Sequence, residues 1–148
     1  MNLKSQLESA LKDAMKANDD VKRRTLRMAI SNIRMEEIDK GVALDDLSTM
    51  VILQKEIKSR RDAIKDAEKA HRDDLIEASL AEISVLESFL PKPLTDVELQ
   101  DVVKSVMAEL NTTNPSDMGR IIKIVMERVP FRAAGDRISQ TVRSLLQK

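Results

Sequence analysis

Apolar residues recur along this chain at helical rather than strand spacing, and the breaks between runs carry helix start and stop signals. Leu3, Leu7, Leu11 and Met15 stand four apart, with Ala10 and Ala14 on the same face, which predicts an amphipathic helix over residues 2 to about 17. Asn18-Asp19-Asp20 interrupts it and supplies a cap for a second helix reaching about Lys40, with a looser apolar series of Val21, Met28, Ile30, Ile33 and Ile38. Gly41 then reads as the stop past its end. Asp45 or Asp46 opens a third helix over about 46–69, whose thin apolar stripe is Leu47, Met50, Val51, Ile57 and Ile64. Ion pairs on it, such as Glu56 with Arg60, contribute only about 0.2–0.5 kcal/mol each, so packing must hold it. Beyond a break at Ala70-His71, the residues Ile76, Leu80, Ile83, Leu86 and Leu90 predict a fourth helix over about 73–89.

Pro91-Lys92-Pro93 ends this first region, because residues before proline leave the α region and two prolines in three make a stiff extended connector. The reading is therefore an N-terminal helical subdomain over 1–90, a proline connector over 91–94 and a second subdomain over 95–148. Thr95-Asp-Val-Glu98 is a capping-box pattern, so a fifth helix starts at Thr95 and buries Leu99, Val102, Val103, Val106 and Leu110. Asn114-Pro115 reads as a cap followed by proline in the first turn of a sixth helix to about Arg128, with Met118, Ile121, Ile122, Val125 and Val129 inside. Pro130 stops it, and a last helix over about 135–147 buries Ile138, Val142, Leu145 and Leu146. The fold class is all-α, a bundle of about four helices followed by a compact three-helix subdomain.

Composition narrows the function classes. Three Gly and four Pro in 148 residues fit an all-helical chain. No Cys means no disulfide, thiolate site or thiol nucleophile, and the N-terminus interleaves charges with apolar residues and lacks the apolar run of a signal peptide. The expectation is a cytoplasmic protein without a membrane partner. Two Phe, with neither Tyr nor Trp, leave no aromatic platform for stacking on bases, so any nucleic acid would be held by Arg, Lys and backbone amides. His71 is the sole histidine and reads as an exposed bystander, and Asp45-Asp46 and Asp73-Asp74 read as first-turn caps rather than carboxylate pairs. The eight Met sit at positions that read as core gap-fillers. Phosphate loops, nucleophile elbows and HExxH pairs are absent from the sequence, and no catalytic residue, cofactor or metal is expected.

Charge points to one end. Residues 119–148 hold seven Lys and Arg against two acids, +5, whereas residues 41–118 hold nine against sixteen, −7. Within the basic end, Gly119-Arg120 and Arg132-Ala-Ala-Gly135-Asp-Arg137 place glycine at or near helix starts beside cations, a pattern that spacing alone reads either as a solvated basic face or as a backbone that can approach phosphate. A second basic group, Lys22-Arg23-Arg24-Arg27, is flanked by Asp19, Asp20, Glu36 and Glu37 and reads as a solvated face.

Several segments together resemble the YqeY family. They are Arg27-Met28 with Glu36-Glu37-Ile38-Asp39, Lys55-Glu56-Ile57-Lys58-Ser59-Arg60-Arg61, and Glu68-Lys69-Ala70 through Arg72-Asp73-Asp74-Leu75. Ile83-Ser-Val-Leu86-Glu87, Phe89-Leu90-Pro91-Lys92-Pro93-Leu94 and Asp117-Met118-Gly119-Arg120 with Arg132-Ala133 complete the set. That family is similar to the C-terminal region of the B subunit of the tRNA-dependent amidotransferase. The resemblance implies an all-helical protein of two subdomains whose counterpart contacts the outer corner of tRNA and carries no catalytic residue. Together with the basic end, it points to a tRNA or structured-RNA partner held by Gly119, Arg120, Lys123, Arg132, Gly135 and Arg137. An adaptor docking on a synthetase or amidotransferase component is the alternative reading. Carbon–nitrogen ligation with glutamine as amide donor is associated with the family, but its chemistry lies in parts of the amidotransferase absent here. The family pattern resembles Met-Gly-Lys-x-Met-Gly, then Lys-Gly-Arg-Ala-Asp-Gly; this chain has Lys123 at the second glycine, Phe131 at the third and Ala134 at the acid.

Overall fold

The computed structural model describes residues 2–146, and these form seven α-helices with no strand among them. They are α1 (Leu3–Lys16), α2 (Asp20–Lys40), α3 (Asp46–Lys69), α4 (Asp73–Glu87), α5 (Asp96–Leu110), α6 (Met118–Arg128) and α7 (Gly135–Leu146). The last helix was expected to reach Gln147, which, with Lys148, lies outside the described residues. The chain divides into two compact units, Met1–Leu90 and Pro91–Lys148, each with its own core.

Helix ends follow the local chemistry of their caps. Asp19 and Asp45 each accept a hydrogen bond from the backbone N–H three residues on, at 3.1 and 2.8 Å, and Thr95 with Glu98 closes a reciprocal capping box. Asp46, the other candidate at that end, does something else: its carboxylate accepts from the Leu3 N–H at 3.0 Å and ties the start of α1 to the start of α3. Gly41 stops α2 at φ 69°, a left-handed conformation that glycine adopts without steric cost. His71 is exposed at φ 55°, just past the end of α3. The sixth helix begins later than its proline suggested: Asn114 caps a single 3-10 turn, Pro115–Asp117, and α6 proper starts at Met118.

The first unit packs α1 to α4 around Leu3, Leu7, Leu26, Ile30, Ile33, Leu53, Ile57, Ile83 and Leu86. Here the apolar stripes read from sequence need correction. On α2, Met28 and Ile38 face solvent, and the buried row is Thr25, Leu26, Ala29, Ile30 and Ile33. Leu47 and Val51 on α3 and Leu80 on α4 are exposed as well, while Leu53 and Ala67 are buried. Four Met, at 15, 28, 35 and 126, are exposed rather than filling core gaps.

A polar cluster crosses three helices of this unit. Glu56, on the buried side of α3, accepts from Asn32 Nδ2 on α2 and from Arg60, which also donates to Glu82 on α4, each carboxylate contact at 2.6 Å, and to the Met28 Sδ on α2 at 3.6 Å. Burial pushes the Arg60 guanidinium down, and the hydrogen bonds to Glu56 and Glu82 outweigh it, so the net displacement is upward. Glu37 plays a similar part nearer the surface, accepting from Lys4 Nζ at 2.6 Å and from the Leu44 N–H at 3.0 Å. Those two bonds hold its carboxyl below the usual range.

The second unit packs α5, α6 and α7 around Leu94, Leu99, Val103, Val106, Ile121, Val125, Ile138, Val142 and Leu146. Its first residues are fastened to it. Leu94 is buried, and its N–H donates to the Arg132 carbonyl at 2.7 Å.

Candidate nucleic-acid interface

The six residues expected to meet RNA all lie in the second unit, and their geometry sorts them into two groups. Gly119, Arg120 and Lys123 share α6. Arg120 and Lys123 are exposed, one helical turn apart, and neither makes an ion pair or side-chain hydrogen bond among the described residues. Their neighbour on the next turn, Arg128, is taken by Glu109 of α5. Gly119 is exposed, has an ordinary helical backbone, and a Cβ placed there would meet nothing within 4 Å. No internal contact requires glycine at this position, so the fold leaves the backbone of that turn open to solvent.

Arg132, Gly135 and Arg137 are placed differently. The Arg132 Nε donates to the Lys92 carbonyl at 3.0 Å. One terminal nitrogen of Arg137 donates to both the Leu94 carbonyl and the Asp96 carboxylate, at 2.9 Å each. These two arginines therefore pin residues 92–96 to the start of α7, a role that spacing along the chain did not suggest. Gly135 opens α7 with free space where a Cβ would stand. Arg143, on the same helix, is exposed and unpaired among the described residues, and was counted in the basic end without being singled out.

The departures from the family pattern also have physical addresses. Phe131 adopts φ 66°, a left-handed conformation in which glycine is at ease and a Phe is strained. The carbonyl of Ala134 accepts the first i→i−4 hydrogen bond of α7, from the Ile138 N–H at 3.1 Å, so Ala134 stands at the cap without a side-chain acceptor to offer. Lys123 points a charge outward from the middle of α6.

The second unit thus presents an open glycine turn and unpaired cations on one short helix, and comparison with known proteins gives the class of the chain. The chain belongs to the YqeY family: the family described as Yqey-like protein matches residues 4–146. Among curated proteins it is similar to "Altered inheritance of mitochondria protein 41, mitochondrial" of Lachancea thermotolerans, 33% identical over 131 residues, 86% of this chain and 68% of that one. The same-named proteins of Kluyveromyces lactis and Vanderwaltozyma polyspora are 34% identical over 113 residues and 36% identical over 85. Those matches cover 74% and 57% of this chain, and 61% and 46% of the relatives, so the chain spans less than two thirds of these two.

The names overturn the cytoplasmic expectation, since these relatives are called mitochondrial. That expectation rested on the missing Cys and the missing apolar run, which fit any reducing compartment, a mitochondrial matrix included. Among the described residues no helix is long and apolar enough to cross a membrane.

Proposed function

We propose that this chain is a non-catalytic helical module that binds structured RNA, with tRNA as the favoured class, through the exposed turn and cations of α6. The observation that carries the reading is the pairing state of the cations. Arg120 and Lys123 have no acid partner among the described residues, while Arg128 on the same helix does. Unpaired cations one turn apart are free to exchange solution counterions for phosphates, and the open backbone at Gly119 lets a sugar–phosphate chain come close. Arg132 and Arg137 support the site by holding residues 92–96 in place, and contacts by their remaining donors are secondary. The fold-level reading that goes with it is a four-helix bundle followed by a three-helix binding unit. The mitochondrial setting is taken from the relatives' names.

A mobility-shift titration of the intact chain with bulk tRNA at low ionic strength tests this. A shift that weakens as salt rises is the expected outcome. No shift at any salt concentration, or a shift indifferent to salt, contradicts it.

A further inference from the structure

The outward face of α2 carries a second pattern, independent of the RNA reading. Met28, Ser31, Met35 and Ile38 succeed one another at spacings of three, four and three, the seam repeat of a helix that pairs with another helix. Most of the seam lies open: Met28, Met35 and Ile38 are 54%, 61% and 78% exposed, and its one side-chain hydrogen bond among the described residues is from Arg60 of α3 to the Met28 Sδ at 3.6 Å. One side of it is basic, with Arg24 and Arg27 exposed and unpaired among the described residues, and Arg34 only loosely paired with Glu8 at 3.8 Å. On the other side a cleft of about 290 Å³ opens between α2 and α3, lined by Met35, Ile52 and the unpaired Lys55 together with the acids Glu36, Asp39 and Glu56.

In sequence the basic group looked neutralised by nearby acids, but the pairings these acids make leave Arg24 and Arg27 out. Asp19 caps α2, Asp20 pairs with Arg23, Glu36 with Lys40, and Glu37 with Lys4 and the Leu44 N–H. What remains is an apolar ridge with the unneutralised Arg24 and Arg27 along one edge, the Met- and Arg-rich composition of interface cores. RNA accounts for the cations but leaves the exposed Met and Ile side chains without a role. A second copy of this chain fits less well, because an antiparallel seam would set its Arg27–Arg34 edge against itself.

We propose that this face docks an amphipathic helix of a partner protein, its apolar residues over Met28, Met35 and Ile52 and its carboxylates toward Arg24 and Arg27. A labelled synthetic peptide with Leu at the seam positions and Glu on the flank that faces Arg24 and Arg27, compared with the same peptide bearing Lys on that flank, probes this by fluorescence anisotropy on the full chain. The intact protein should bind the acidic peptide and not the basic one. Met35→Glu, at an exposed site that leaves the circular dichroism unchanged, should weaken binding by about tenfold. The pair Arg24→Glu with Arg27→Glu should shift preference toward the basic peptide. Equal affinity for both peptides, or none for the acidic one, overturns the proposal. So does sedimentation showing a dimer of the chain that Met35→Glu dissolves, and so does a loss of tRNA affinity in the arginine pair with peptide binding unmoved.

Discussion

Phe131 holds a left-handed backbone at φ 66° without joining the second unit's core. For an L-residue that conformation costs roughly 1–2 kcal/mol, partly offset by the greater freedom glycine would have in the unfolded chain. Phe131→Gly should therefore raise stability by about 0.5–1 kcal/mol, read from urea unfolding followed by circular dichroism; a loss of stability would show that the ring does more than its partial burial suggests. Gly119 separates fold from function. Alanine there meets no atom within 4 Å and improves helix propensity by up to about 1 kcal/mol, so Gly119→Ala should stabilise the unit. If phosphate approaches this turn closely, the same change should weaken tRNA binding, and an unchanged affinity would remove Gly119 from the interface. Glu37 gives a pH signature. Its carboxyl is held below the ordinary value of 4.5 by its bonds to Lys4 and Leu44, so the unfolded chain takes up its proton first as pH falls. Its contribution is complete above that ordinary value and is lost as pH drops through the lower folded value. Glu37→Gln should flatten the acid side of a stability–pH curve below about pH 4.5, and an acid limb of unchanged slope would assign it to other carboxylates.

At the scale of elements, helix ends were legible in the sequence because capping is local: Asp19, Asp45, Thr95 with Glu98, and Gly41 act within four residues of themselves. The faces were less legible. A helix such as α2 has apolar residues all round, and only its neighbours decide that Leu26 and Ala29 turn inward while Met28 and Ile38 do not. Least legible were contacts between distant residues. Arg132 and Arg137 reach carbonyls 40 and 43 positions away, and nothing in their spacing separates them from the free cations of α6. The cluster of Asn32, Glu56, Arg60 and Glu82 is of the same kind, with only its Glu56–Arg60 edge visible as an i,i+4 pair. Because Arg60 and Glu56 are nearly buried, Arg60→Ala strands two carboxylates and should cost about 3 kcal/mol, whereas replacing Glu56, Arg60 and Glu82 together by Met should stay within about 1 kcal/mol of the parent. Urea midpoints of the two variants check this, and a triple variant as unstable as the single one would show that the ions specify the packing of α2, α3 and α4.

For the whole molecule, a net charge of zero conceals an acidic middle and a basic end, and the structure refines which part of that end is available. Of the seven basic residues counted there, Arg128, Arg132 and Arg137 are engaged within the second unit, Lys148 lies outside the described residues, and Arg120, Lys123 and Arg143 remain free of side-chain partners among the described residues. Family membership was readable from ordered segments over the full length, while compartment was not, because a composition that excludes disulfides does not choose among reducing compartments. The account stands on the two free cations of α6. Their most direct test is tRNA affinity against salt concentration for the parent chain and for Arg120→Gln with Lys123→Gln. The parent should show log K falling linearly with log salt, and the double variant a slope shallower by about 1.4–1.8, the release of two phosphate contacts. An identical slope in both proteins would place the RNA contact, if there is one, elsewhere on the chain and contradict the account.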